Sequence, residues 1–221
     1  MEKRLDNINS VYIILSQATN LGFFMPRISD KRERLISAAD ALIHRQGFYR
    51  TTLADIAEEA KVPLGNVYYY FKTKEDICKA VVTERKQSLS NMLKSCCRRR
   101  EPMDALMNLI KVMIGHSREL AESGCPLGGL CQELDEECGE LMDCADSCMK
   151  YLVDWSTEQF RLMGLKQAEE LGFEFVSRIQ GVILLGNILN DPRRLKQQLK
   201  TVAEWITGLD PEYREEKRAA A

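Results

Sequence analysis

Residues 51–77, TTLADIAEEAKVPLGNVYYYFKTKEDI, decide how this chain is read. Thr51 and Thr52 stand where N-caps belong, ahead of a short helix over 53–60 whose apolar face is Leu53, Ile56, Ala57 and Ala60. Lys61, Val62 and Pro63 form a tight turn, and Pro63 suits the start of the next helix. That helix, 64–71, is short and carries three consecutive tyrosines. Residues 72–74 interrupt it, and Thr73 caps a long helix running from Lys74 to about Cys97. Upstream, Asp30 and Glu33 have capping-box spacing, Leu35, Ile36, Ala39, Leu42 and Ile43 share one helical face, and Gly47 ends that first helix.

Three short helices, the second and third joined by a tight turn, followed by a long one, match the helix-turn-helix plan. A recognition helix must bury one face and offer small or polar groups on the other. Val67 and Phe71, four apart, face the core with Ile56 and Leu35, while Gly65, Asn66, Tyr69 and Tyr70 point outward. Gly65 lets the backbone approach base edges or phosphate, Asn66 suits a base edge or a phosphate, and tyrosine hydroxyls reach phosphates while their rings meet thymine methyls. Thr52 and the Thr73–Lys74 step add backbone N–H groups and a cation, the makings of a phosphate clamp.

The stretch from Arg32 to Val81, residues 51–77 above all, resembles the DNA-binding domain of the tetracycline-repressor (TetR) family, over about fifty residues without a gap. The resemblance implies an all-helical homodimer: an N-terminal DNA-binding domain, and a divergent C-terminal domain that binds an inducer and dimerises. It implies repression relieved by a small molecule. By position it assigns Thr52, Leu64, Gly65, Asn66, Tyr69, Tyr70 and Lys74 to the DNA-facing set, with Tyr68 partly buried. Lys61 departs from the family pattern, which has glycine in this turn. Lysine there must adopt a left-handed backbone or shift the turn, and its charge adds a phosphate contact.

Charge agrees with this division. Residues 27–100 carry 16 Lys+Arg against 9 Asp+Glu, a net +7, whereas 101–221 carry 13 against 22, a net −9. The overall −2 is the sum of a polyanion-binding head and an acidic body. Among 221 residues, 45% are hydrophobic, too many for a disordered chain, and 13 Gly with 6 Pro exclude low-complexity sequence. No uninterrupted apolar run approaches the ~20 residues that cross a bilayer, so the reading is a soluble, cytoplasmic protein without a membrane partner.

The domains expected are an N-terminal extension over 1–26, a helix-turn-helix domain over 27–74, and a ligand-binding and dimerisation domain over 75–218. The extension reads as a tail, or alternatively as an apolar arm through residues 11–15, Phe23 and Phe24. Residues 219–221 read as a cloning remnant. Beyond residue 100, helices are expected at about 102–122, 127–137, 139–163, 167–189 and 192–208, and nowhere does a strand pattern occur. In the last pair, Phe175, Ile179, Val182, Ile183, Gly186 and Leu189 are followed by Leu195, Leu199, Val202, Ile206 and Leu209, with Gly181 and Gly186 allowing close approach. The resemblance makes this pair, about 173–208, the homodimer interface.

Met92, Met107, Met113, Met142, Met149 and Trp155, with Met103, Leu109, Phe160 and Met163, are candidates to line an effector pocket, because methionine adapts to varied apolar ligands; the same residues equally suit an ordinary core. His116 would hydrogen-bond a ligand or simply be satisfied within its helix. Cys125, between glycines ahead of a helix, is a candidate thiol sensor for oxidants or electrophiles, with Cys131 resolving it. Against this, Glu133, Asp135, Glu136 and Glu137 would raise the thiol pKa, and buried cysteine is commonly an apolar filler. Cys138, Cys144 and Cys148 lack the paired spacing and partner histidine of a zinc site, so no metal or cofactor is assigned. With only His44 and His116 present, no Cys/His nucleophile pair arises, which disfavours a cysteine-dependent enzyme. The reading is a sequence-specific transcriptional regulator on a palindromic operator, released by a small apolar or electrophilic effector, with a thiol switch as the alternative.

Overall fold

A computed structural model describes residues 30–97, 101–134 and 138–209. The expected 1–26 extension, the acidic residues 135–137 and the 219–221 remnant lie outside the described residues. The described residues form ten helices and no strand: α1 Lys31–Gln46, α2 Leu53–Glu59, α3 Leu64–Tyr70, α4 Lys74–Cys96, α5 Pro102–Gly115, α6 Ser117–Ser123, α7 Pro126–Glu133, α8 Glu140–Leu162, α9 Ala168–Ile188 and α10 Pro192–Gly208. The fold is all-α with an N-terminal helix-turn-helix domain. Two compact units divide it. The first runs to Asn91 and takes in the residues from Pro126 to Lys150; the second comprises Met92–Cys125 and the residues from Tyr151 onward.

In the first unit, local chemistry sets the helix ends. Thr52 makes a capping box with Asp55: the Asp55 N–H donates to Thr52 Oγ1 at 3.1 Å and the Thr52 N–H donates to Asp55 Oδ2 at 2.9 Å. Thr73 and Asp76 repeat the arrangement at the start of α4, both bonds at 3.1 Å. Two expected caps are absent. Asp30 has helical dihedrals (φ −41, ψ −18) and makes no side-chain cap, so no box forms with Glu33. Thr51 is fully buried, and its hydroxyl turns back to donate to the Gly47 carbonyl at 2.7 Å.

The core of this unit holds Leu35, Ile36, Ala39, Leu42 and Ile43 of α1 with Ile56, Val67 and Phe71, as the periodicity predicts. It also takes in Leu130 and Leu134 from α7 and its end, and Leu141, Ala145 and Cys148 from the first half of α8. The packing unit is therefore larger than the 27–74 head read from sequence, and α7 packs on α1.

In the second unit, the helix expected over 102–122 breaks at His116 (φ −102, ψ 16), which separates α5 from α6. Gly115 precedes the break, and His116 Nδ1 lies 2.8 Å from the Glu119 carboxylate. α9 and α10 are antiparallel neighbours: Asn190 turns with φ +46, and the Asp191 side chain accepts the Arg194 N–H at 2.9 Å. α10 packs also on α5 and α6.

Most of the apolar positions named from sequence on this pair turn inward, while Val182 is half-buried and Leu189 exposed. Phe175, Ile179, Ile183, Gly186, Leu195, Leu199, Val202 and Ile206 are all buried within this unit. A Cβ on Gly186 would come within 2.6 Å of Leu195, so the close approach here is α10 of the same chain. What remains outside is a stripe of Phe173, Leu184, Leu185, Ile188 and Leu189, exposed by 48–67%, of which only Leu189 belongs to the apolar positions named from sequence. By length and composition alone α9 is apolar enough to cross a membrane, which qualifies the expectation from uninterrupted runs. Its inner face is spent on the unit's core and its surface carries the Glu174–Arg178 ion pair at 2.6 Å.

Candidate nucleic-acid interface

α3 is held from beneath by Val67, fully buried, and Phe71, nearly so. Its outer side presents Leu64, Gly65, Tyr68 and Tyr69, the last 80% exposed, while Asn66 is half-buried with its N–H on the Pro63 carbonyl at 2.8 Å. Two tyrosines exchange the roles expected of them. Tyr70 is half-buried against the core and meets the Tyr69 ring edge-on at 5.0 Å, whereas Tyr68, expected to be partly buried, is 48% exposed. The spacing held the answer: Tyr68 stands one turn from exposed Leu64, and Tyr70 three residues from buried Val67.

Gly65 needs nothing from the fold. A Cβ there would meet open space, and a helical glycine costs about 0.5–1 kcal/mol relative to alanine. The residue leaves the front of α3 without a side chain, where an external backbone or base edge can approach.

The clamp residues are occupied within the protein. Thr52 Oγ1 donates to Asp55 Oδ2 at 2.8 Å besides accepting its N–H, so a phosphate would compete with Asp55 for this hydroxyl. The Thr52 hydrogen bonds hold the exposed Asp55 carboxyl below its usual range, and it is ionised at neutral pH. The Lys74 ammonium donates to the Phe48 carbonyl at 3.0 Å and lies 4.2 Å from the Phe48 ring centroid. At the start of α4 the N–H groups of Lys72 and Thr73 both point to Asp76.

Behind this face runs a polar relay that sequence reading missed. Arg85 of α4, 3% exposed, donates from Nε to Asp40 of α1 at 2.6 Å and from Nη1 to the carbonyl of Pro126, the first residue of α7. At the other end of α7 the Glu133 carboxylate accepts the Phe48 N–H, beside Gly47 (φ +88), where any Cβ would lie 2.6 Å from that carboxylate. α7 is thus pinned by both ends to α1, α4 and the loop before α2. His44 lies in the same setting: burial, then the Arg85 charge, push its pKa down to about 4, with Asp40 partly opposing. No period or spacing marks such a network; only the three-dimensional meeting of α1, α4 and α7 does.

The segment from 35 to 81, covering all three short helices and the start of α4, matches the family described as "Bacterial regulatory proteins, tetR family". This segment is a TetR-family DNA-binding segment. Proteins similar to this chain include the HTH-type transcriptional regulator LmrA of Bacillus subtilis (strain 168), 28% identical over 71% of this chain and 86% of the relative. The HTH-type transcriptional regulator HbdR of Aromatoleum sp. (strain CIB) is 48% identical, over 23% of this chain and 22% of its own. In fold, the chain is similar to SCO4454, a TetR-family transcriptional regulator from Streptomyces coelicolor, with TM-score 0.73 and 17% identity over 80% of this chain and 93% of the other. The protein is a DNA-binding transcriptional regulator, and its relatives carry the names of regulators.

The other sequence candidates are dispersed. Met142 and Met149 fall in the first unit, Met142 packed on its core, while Met92, Met107, Met113, His116 and Trp155 are half-buried in the second. Met103, Leu109 and Phe160 are buried there, and Met163 is half-buried. Cys125 receives a hydrogen bond from the Gln180 amide at 3.5 Å, and Cys131 is half-buried against the first unit's core. Burial pushes the Cys78 thiol up to about 12 and raises that of Cys148, so both stay protonated at neutral pH.

Proposed function

We propose that this regulator is a repressor that binds a palindromic operator as a homodimer and is released by a small apolar or electrophilic effector. The observation that carries the reading is the outer side of α3: Leu64, Gly65, Tyr68 and Tyr69 lie together on a rigidly backed helix, with a glycine the fold does not require. In this reading α3 enters the major groove, Tyr69, Tyr68 and half-buried Asn66 contact the duplex, and Tyr70, Thr52 and Lys74 position the head.

TetR-family regulators act as dimers. The surface we assign to the partner copy is the exposed stripe of α9. Phe173, Gly181, Leu184 and Ile188 follow helical spacing, and Gly181 faces open space, room for a second helix to approach. A dimer sets two heads about 34–36 Å apart, one turn of duplex, in the cytoplasm where the operator is.

Effector binding belongs to the second unit, where Met92, Met107, Met113, His116 and Trp155 supply adaptable apolar surface and one polar group. An effector works only by favouring a state with another head position, and α7, pinned by Arg85 and Glu133, is the element whose movement would be felt by α1. A second trigger is the Cys125 thiol, which accepts a hydrogen bond from the Gln180 amide and directly precedes the residue that Arg85 grips.

The test is selection of duplexes from a randomised pool, followed by transcription from a reporter carrying the selected site. A palindromic consensus, repression, and loss of both with Tyr69→Ala are expected. Recovery of no preferred sequence, or activation of the reporter, would overturn the reading. Cys125→Ser that still releases DNA on oxidant treatment removes the thiol from the mechanism.

A further inference from the structure

The turn between α2 and α3 is closed by the hydrogen bonds of a Schellman motif: the Lys61 N–H donates to the Glu58 carbonyl at 3.0 Å and the Val62 N–H to the Ala57 carbonyl at 2.9 Å. This motif needs a left-handed residue just past the helix, and Lys61 supplies it with φ +53. Glycine adopts that conformation freely, whereas a side chain is strained in it. The surroundings hold the strain in place. The Arg34 guanidinium donates to the Ala60 carbonyl and, at 3.1 Å, to the Lys61 carbonyl, and Val62 is buried against the core. A strained backbone at an over-determined position invites the question of what its side chain is for.

Several other cations of the helix-turn-helix segment have work inside the protein, whereas exposed Lys31 and Arg50, like Lys61, have no side-chain partner among the described residues. Lys72 donates to the Tyr68 carbonyl at 2.9 Å, Lys74 to that of Phe48, and Arg34 to the turn. Arg45 pairs with Glu59 at 3.6 Å, and Arg32 lies over the Phe71 ring. Lys61 is exposed, and its ammonium has no ion pair or hydrogen bond among the described residues. It stands three residues ahead of Leu64, at the entry to α3.

We propose that Lys61 is an operator-backbone contact: its free ammonium binds a phosphate beside the groove that α3 enters, and the chain accepts a left-handed lysine where glycine would fit to keep that charge there. The inference rests on α3 being the recognition helix. A phosphate contact adds affinity without reading sequence, and it releases one condensed counterion.

Lys61→Gly separates strain from charge, because it relieves the first while removing the second. The probes are a duplex selected by the wild-type protein from a randomised pool and an unrelated duplex of equal length. The expected result is a melting temperature equal to or above wild type, with affinity reduced by the same factor on both duplexes. The slope of log K against log salt should flatten by about 0.9 per head. Between 50 and 200 mM salt, that is a loss about threefold smaller per head. Lys61→Arg should restore the slope. Wild-type affinity and slope in Lys61→Gly would overturn the proposal, as would a loss confined to the selected duplex. Wild-type protein that selects no duplex fails the reading of α3 itself, a different outcome from wild-type selection with an unchanged Lys61→Gly slope.

Discussion

Lowering the pH should loosen the first unit through a single histidine. His44 on α1 is packed beside Arg85, and Nε2 has no hydrogen-bond partner among the described residues. Burial and the neighbouring guanidinium bring its pKa from 6.5 in the unfolded chain to about 4 in the folded one. The unfolded state therefore binds more protons between these values, and stability falls as the pH drops through that window. At pH 5 the unfolded histidine is almost fully charged while the folded one is still neutral. The two populations then differ about 30-fold, so that about 2 kcal/mol of the stability present at pH 8 is lost. The full loss is reached below pH 4. Urea unfolding at pH 8, 6 and 5, at fixed protein concentration, measures this. His44→Phe keeps a ring of similar size and cannot titrate, so its stability should fall by about 2 kcal/mol less across the same range. Equal pH dependence in the two proteins would refute the reasoning.

Three further outcomes follow from the same contacts. Arg85→Met leaves Asp40 without its cation and frees the Pro126 carbonyl, and should cost about 3 kcal/mol in denaturant; the double variant with Asp40→Leu should recover most of it. Thr52→Ala removes the capping box of α2 and should cost about 1 kcal/mol in melting experiments without changing quaternary structure. Leu185→Glu places a charge on the exposed stripe of α9 and should give monomers in sedimentation, together with a large loss of operator affinity. Dimers that persist in that variant exclude the stripe as the interface.

Much of the head was legible because its chemistry is local. Thr52 with Asp55, Thr73 with Asp76, and the i, i+4 pair Val67 and Phe71 each lie within one turn of helix, so order along the chain fixes their geometry. The same arithmetic misjudged Tyr68 and Tyr70, whose places relative to the core differ by a fraction of a turn. Asp30 looked like a cap but is already helical, and Thr51 looked like one but is buried with its hydroxyl on Gly47.

Beyond residue 100 the helices were legible and their use was not. Periodicity finds an apolar face but does not say which neighbour covers it. Phe175, Ile179 and Leu195 carry the same signal whether they meet α10 of their own chain or a second copy. Packing decided that, leaving Phe173, Leu184 and Ile188 outside. The sequence alone determined the all-α class, the order of the helices and the identity of the DNA-binding motif, because caps, turns and 3.6-residue periods act over a few neighbouring residues. Only the tertiary structure decided that α7 joins the first unit, that Arg85 grips Asp40 and the Pro126 carbonyl, and that Lys74 is spent on Phe48. Those contacts join residues from 26 to 85 positions apart, and their energies depend on burial that no single segment possesses.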